Sequence, residues 1–89
     1  MSIHIYKGEY ETITELCSDD WDLPTQIDKL EEWLIKDGKL LPEGNYVADI
    51  GFGIRKEASG GGAVLNLNTI KMLSDIGMEV YFSEYKIES

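Results

Sequence analysis

The segment NYVADIGFGIRK, residues 45–56, carries the strongest structural signal in this sequence of 89 residues. Its side chains alternate between two faces, which is the periodicity of a β-strand. One face is almost entirely apolar and consists of Tyr46, Ala48, Ile50, Phe52 and Ile54. The other face consists of Val47, Asp49, Gly51, Gly53 and Arg55. The pattern predicts a strand over residues 45–56 whose apolar face packs on a core.

The sequence before this strand predicts two strands and a helix. Residues 2–6 form the first strand, residues 7–9 a turn, and residues 10–17 a second strand with Thr12, Thr14 and Leu16 on one face. A helical face of Tyr10, Ile13 and Cys17 is the alternative for that second segment.

A helix follows the polar residues 18–22. Asp22 is a good N-cap. Pro24 suits the first turn, because backbone N–H groups there have no hydrogen-bond partner within the helix. Its apolar face consists of Leu23, Ile27, Leu30, Trp33 and Leu34. Gly38 is predicted to end this helix in the left-handed conformation.

The sequence after residue 56 predicts a loop at 57–62, a helix and a final strand. Asn68 is the predicted cap of a helix over residues 69–76, with Ile70, Leu73 and Ile76 buried and Gly77 at its end. Residues 78–86 form the last strand, with Met78, Val80 and Phe82 facing inward.

The order of these elements, β-β-α-β-α-β, predicts one α+β domain over residues 1–89. We expect two layers, a four-stranded mixed or antiparallel sheet with two helices on one of its faces. The helix between the last two strands permits them to run parallel.

Charge is the feature of the composition that bears on function. Seventeen Asp and Glu against eight Lys and Arg give a formal net charge of -9. Such a chain is repelled by nucleic-acid phosphates and by anionic membranes, so neither is an expected partner. The expected partner is a protein with a basic surface, although the acidity alone would also keep the protein soluble. The chain has no apolar segment of about 20 residues that could span a membrane, and residues 1–8 lack the apolar region of a signal peptide. The expected location is therefore the cytoplasm.

No motif for catalysis, a metal or a cofactor is complete. Cys17 and His4 are the single cysteine and the single histidine, so neither has the partner that nucleophilic or metal chemistry requires. A calcium loop starting at Asp19 would have Pro24 and Leu30 where glycine and glutamate are needed. The glycines at 60–62 lack the lysine of a phosphate-binding loop. We therefore expect neither an enzyme nor a bound cofactor.

Two groups of residues are candidates for contact with a partner. The first surrounds an aromatic anchor in an acidic loop and consists of Asp19, Asp20, Trp21, Asp22, Glu31 and Glu32. Its alternative is structural, with Trp21 folded back under the first helix and the acids capping that helix. The second lies on the sheet and consists of Asp49, Gly51, Gly53, Tyr81 and Tyr85. Its glycines either let a ring or backbone approach closely or mark a bend in the sheet.

From Leu23 onward the chain resembles the C-terminal half of the bacterial DUF4279 family. The similarity lies in Trp21 before the helix, in residues 23–30 (LPTQIDKL) and in residues 67–82 (LNTIKMLSDIGMEVYF). It implies an α/β sheet fold and a role near toxin–immunity or similar conflict systems, and it implies no functional residue.

These observations favour a protein-binding inhibitor or immunity-like module that neutralises a toxin or counters a host defence on behalf of a phage. A small-ligand or nucleotide-binding domain, with a pocket between the open sheet face and residues 57–62, is the first alternative. A homo-oligomeric subunit that buries the face of Gly51 and Gly53 is the second.

Overall fold

The computed structural model describes residues 2–9, 11–17, 19–54, 57, 59–60 and 62–86. Within them the chain forms, in order, strands β1 (Ile3–Lys7) and β2 (Glu11–Leu16), helix α1 (Leu23–Lys36), a 3₁₀ turn (Gly38–Leu40), strand β3 (Tyr46–Gly53), helix α2 (Leu67–Ile76) and strand β4 (Met78–Tyr85). The predicted α+β order is confirmed. Tyr10, Arg55, Lys56 and Gly61, which the sequence placed in strands and in the glycine loop, lie outside the described residues.

The strands form one mixed sheet in the order β2-β1-β3-β4. Strand β1 is antiparallel to both β2 and β3, whereas β3 and β4 are parallel and are joined through α2. Strands β2 and β4 are therefore the edges of the sheet.

One face of the sheet packs against both helices and forms the core. The strands contribute fully buried Ile3, Ile5, Ala48 and Ile50, together with Tyr46 and Met78. The helices contribute Ile27, Leu30, Leu34, Leu73 and Ile76. The predicted apolar face of β3 is confirmed from Tyr46 to Ile50, after which Phe52 is half-buried and Ile54 lies exposed beyond the strand.

Strand β2 contains a β-bulge that its sequence pattern did not predict. Ile5 pairs with Thr14 while Tyr6 pairs with Thr12, so Ile13 is the extra residue. The bulge puts Thr12 and Thr14 on opposite faces, and the predicted placement of both on one face is wrong. Its effect is to let Ile13 pack against the core, since that side chain is half-buried there.

Helix α1 begins as predicted but ends differently. Asp22 caps it, since its Oδ2 accepts hydrogen bonds from the Thr25 N–H at 3.3 Å and from Thr25 Oγ1 at 2.7 Å. The left-handed conformation predicted for Gly38 is wrong, because that residue starts the 3₁₀ turn without a positive φ. A Cβ at Gly38 would lie 2.6 Å from Trp33 Cζ3, so the glycine is required by close packing.

Helix α2 and its N-cap both lie two residues earlier in the chain than predicted. Asn66 is the N-cap, and its Oδ1 accepts from the Thr69 N–H at 2.9 Å, so the assignment of Asn68 is wrong. The buried face consists of Thr69, Leu73 and Ile76, which leaves Ile70 46% exposed instead of buried. Gly77 ends the helix with φ +79°, as predicted, because only glycine adopts this left-handed conformation readily.

Strand β4 directs Met78, Val80 and Phe82 to the helix side of the sheet, as predicted. Phe82 is nevertheless 50% exposed and does not join the core. It has a strand neighbour on one side only, where its ring meets Phe52 edge-on at 6.5 Å between centroids. Neither helix in the described part of the chain is long and apolar enough to cross a membrane.

Candidate functional site

The sheet face opposite the helices carries alternate residues of all four strands, and we call it the open face. Register and alternation place on it His4, Tyr6, Thr12, Glu15, Val47, Asp49, Gly51, Gly53, Glu79, Tyr81, Ser83 and Tyr85. All five residues of the predicted sheet contact lie here.

The open face is acidic. Its charged side chains in the strands are Glu15, Asp49 and Glu79. The single lysine in the described strands, Lys7, pairs with Tyr46 and belongs to the helix side, where its Nζ lies 5.8 Å from the Tyr46 ring centroid. No Lys or Arg of the described strands therefore offsets the carboxylates of the open face.

A row of polar and aromatic side chains crosses the middle of the open face. Glu15, His4, Asp49 and Tyr81 are successive register partners on β2, β1, β3 and β4. The Asp49 carboxylate is fixed by Ser83, whose Oγ donates to Asp49 Oδ1 at 2.6 Å. Tyr81 beside it is 48% exposed.

Trp21 joins the open face through Gly51. Its ring packs edge-on against Tyr85, with 5.7 Å between centroids, and both rings lie over the glycine. A Cβ at Gly51 would be 2.8 Å from Tyr85 Cε2 and 3.3 Å from Trp21 Cζ3. Of the two alternatives for Gly51, the close approach of a ring applies, and the rings that lie there are the protein's own. Trp21 stays 37% exposed and Tyr85 51%.

Gln26 holds this arrangement together, and the sequence analysis did not identify it. Its fully buried side chain donates from Nε2 to the Asp20 carbonyl at 2.9 Å and to the Gly51 carbonyl at 2.6 Å. The Gly53 N–H donates to the Trp21 carbonyl at 3.0 Å. One feature of the sequence does indicate that Gln26 is buried. Leu30 lies four residues later and therefore on the same face of the helix.

The acidic loop around Trp21 is partly occupied with capping the helix. Asp20 Oδ1 accepts from the Asp22 N–H at 2.9 Å, and Asp22 is the N-cap of α1. The structural alternative, in which the acids cap the helix, therefore applies to Asp20 and Asp22, whereas Asp19 is exposed. A carboxylate held by its own backbone still presents negative charge beside the Trp21 ring.

Glu31 and Glu32 are not brought together with Trp21. Both lie on α1, where Glu31 Oε2 accepts from Thr69 Oγ1 at 2.6 Å and from Asn66 Nδ2 at 2.8 Å. The hydrogen bond from Thr69, and next the one from Asn66, lower the pKa of the Glu31 carboxyl. Glu32 pairs with Lys29 at 3.3 Å. The predicted group is thus divided, because Glu31 contacts α2 whereas Glu32 pairs within α1 and, like Asp20, raises the pKa of Cys17.

Cys17 is half-buried just beyond the end of β2. Burial raises the pKa of its thiol, and the nearby Asp20 carboxylate raises it further. The side chain therefore stays protonated at neutral pH, which is unfavourable for a nucleophile. Its carbonyl accepts a hydrogen bond from Ser2 Oγ, which ties the end of β2 to the start of β1.

A cavity of about 260 Å³ opens at the carboxyl ends of the parallel strands β3 and β4. Its lining includes Trp21, Pro24, Phe52 and Ile54, with the carboxylates of Asp22 and Glu84. Gly62 also borders it, which places it near the predicted loop pocket but at the end of the sheet rather than on the open face. Among the described residues, no three His, Cys, Asp or Glu are arranged to hold a metal ion.

Comparisons with protein-family models, with curated proteins and with solved structures find no match to this chain. The resemblance to the DUF4279 family stays a prediction.

Proposed function

We propose that this protein is a protein-binding module whose open face covers a basic surface of a partner protein. The observation that carries the proposal is the composition of that face, where exposed aromatic rings and three strand carboxylates occur without a strand Lys or Arg. Aromatic side chains supply much of the energy at protein interfaces, and complementary charge supplies orientation and speed of association.

The packing of Trp21 supports the same conclusion. Contact with Tyr85 and with the bare backbone of Gly51 restricts the indole before any partner arrives. A ring that is already ordered loses less conformational entropy on binding, so more of its contact energy contributes to affinity.

Covering a basic surface is a mode of action that needs no chemistry from the module itself. Basic surfaces are where nucleic-acid enzymes bind their substrates, and an acidic face that occupies one competes with the substrate. We propose on this basis that the protein acts as an inhibitor or immunity-like protein, in toxin neutralisation or phage counter-defence.

The test compares two charge-reversed proteins as baits for partner proteins. Glu15→Lys with Glu79→Lys alters the open face, whereas Asp28→Lys with Asp75→Lys adds the same charge to exposed positions of the helices. A partner that the wild type captures at low salt is expected to be lost with the first bait and kept with the second. Equal loss with both baits, or a partner whose binding does not depend on salt, would contradict the proposal.

A small ligand is the second candidate function, and the cavity at the end of β3 and β4 is the observation that favours it. Ligands commonly bind beyond the carboxyl ends of parallel strands. The carboxylates of Asp22 and Glu84 favour a cationic or neutral ligand over a phosphate. A thermal-shift screen tests this, since a ligand that binds the folded state raises the melting temperature. Phe52→Trp fills the cavity and is expected to abolish that rise.

A further inference from the structure

Strand β4 has one edge that no described strand covers. It pairs with β3 alone, over eight residues in continuous register from Met78 to Tyr85. The Gly77 carbonyl accepts from the Tyr46 N–H and the Tyr85 carbonyl from the Ile54 N–H, so odd-numbered residues turn their backbone groups towards β3. Because successive residues of a strand point their N–H and C=O to opposite sides, Val80, Phe82 and Glu84 turn theirs to the free edge.

The two edges of the sheet differ in how they resist further pairing. Strand β2 is interrupted by the bulge at Ile13, a device that disfavours the addition of another strand. Strand β4 has no bulge, proline or lysine between Met78 and Tyr85, and exposes three aromatic rings. An edge that is long, regular and rich in exposed aromatic side chains is a template for pairing.

We propose that this edge of β4 takes up an extended segment of the partner protein as an additional strand. This inference rests on the proposed function and specifies how the partner is bound. Side chains of an added strand alternate between the two faces. On the open face they would meet Glu79, Tyr81 and Tyr85, which favour Lys or Arg through charge and cation–π contacts. On the helix side they would meet Val80 and Phe82, which favour apolar residues, with Glu84 near the end of the strand.

The segment is therefore one in which basic and apolar residues alternate. A second copy of this chain is a poorer occupant, because each copy carries a net charge of -9 and β4 itself holds Glu79 and Glu84.

The probe is the capped peptide Lys-Val-Lys-Val-Lys-Val-Lys, with its Glu-Val counterpart and an N-methylated Lys-Val version as controls. Binding is measured by titration calorimetry, and the site is located by hydrogen exchange of the β4 amides. We expect the Lys-Val peptide to bind and to slow exchange at Val80, Phe82 and Glu84. The N-methylated peptide has the same charge but lacks backbone donors, so it is expected to bind at least about tenfold more weakly.

Two variants at one position separate the backbone of the edge from its side chain. Phe82→Pro removes an N–H that points away from β3 and so leaves the β3–β4 ladder intact, while Phe82→Ala keeps that N–H. The peptide is expected to lose at least about tenfold in affinity with the first and less than about threefold with the second. Circular dichroism checks that both variants fold. The N-methylated peptide tests the same backbone hydrogen bonds on the wild-type protein, without any substitution in it.

Three results would overturn the inference. The first is the absence of binding by the Lys-Val peptide. The second is equal binding of the peptide to the wild type and to Phe82→Pro, which would exclude the edge as the site. The third is a dimer of the protein that Phe82→Pro dissolves, which would assign the edge to self-pairing. Failure of the proposed function itself is read separately, from the partner-capture experiment.

Discussion

Gln26 shows how one buried polar residue connects a helix, a loop and a strand. Its amide nitrogen donates to the carbonyls of Asp20 and Gly51, of which the bond to Gly51 is buried. Its Oε1 accepts no hydrogen bond from the described residues. The residue therefore contributes through its donors, and these fix the loop that carries Trp21.

The first prediction concerns those donors. Gln26→Leu keeps the size of the side chain but removes both hydrogen bonds, and we expect it to lower the free energy of unfolding by about 1–3 kcal/mol. Gln26→Glu is expected to cost more at neutral pH, because it places a carboxylate against two carbonyl oxygens. Urea denaturation measures both. If Gln26→Glu proved as stable as Gln26→Leu, or more stable, that result would contradict the assigned role of Gln26.

The second prediction concerns the rings over Gly51. Gly51→Ala introduces a Cβ that would lie 2.8 Å from Tyr85 Cε2, so the half-exposed Tyr85 ring must move off the sheet. We expect a change in Trp21 fluorescence in a Trp33→Phe background and a loss of about 1–2 kcal/mol in stability. In a Tyr85→Ala background, Gly51→Ala is expected to cost less stability, because the ring that it would displace is absent. If the stability losses of the two substitutions were strictly additive, the result would argue against the contact.

At the scale of elements, the two helices are joined by Glu31. Its carboxylate on α1 accepts hydrogen bonds from Asn66 and Thr69 at the N-terminus of α2. A negative charge is favourable at that end of a helix. Sequence patterns place each helix but give no sign of this pairing, because the three residues are far apart in the chain.

The third prediction is the pH dependence of this clasp. Because folding lowers the pKa of Glu31, its contribution to stability is present above the unfolded pKa of about 4.3 and is lost as pH falls through the folded value. The advantage of the wild type over Glu31→Gln in urea denaturation is therefore expected to shrink at acidic pH. Asp28→Asn, which removes a carboxylate from an exposed position of the same helix, is the matched control. A constant difference across pH would exclude the linkage.

The ends of the helices show how far local sequence determines an element. Asp22 and Gly77 act as predicted, since a cap and a left-handed glycine are decided by neighbouring backbone groups. Gly38 and Asn68 were misassigned because a competing local solution existed, namely the Trp33 ring over Gly38 and the earlier cap Asn66. The bulge at Ile13 was missed because it depends on the partner strand β1.

At the scale of the whole molecule, the charge is large and is unevenly distributed. Acidic residues line the open face, and Lys7 at the end of β1 lies on the side of the helices. A net charge of -9 makes the folded chain repel itself, and salt screens that repulsion.

The fourth prediction follows from this repulsion. Raising NaCl from about 0.02 M to about 0.5 M is expected to raise the melting temperature by a few degrees. Glu15→Lys with Glu79→Lys lowers the net negative charge, so its melting temperature is expected to respond less to the same salt. Scanning calorimetry provides the measurement. A melting temperature that falls with salt would show that favourable ion pairs outweigh the repulsion.

The sequence by itself determined the fold class, the order of the elements and the acidity of the chain, because these depend on the periodicity, capping and composition of neighbouring residues. Its alternating pattern also assigned Asp49, Gly51, Gly53, Tyr81 and Tyr85 to one sheet face correctly. The tertiary structure decided which distant residues meet. It placed Trp21 over Gly51, joined Glu31 to α2 instead of that loop, and left β4 at an open edge. Strand order and loop packing depend on contacts between remote parts of the chain, and local patterns do not encode them.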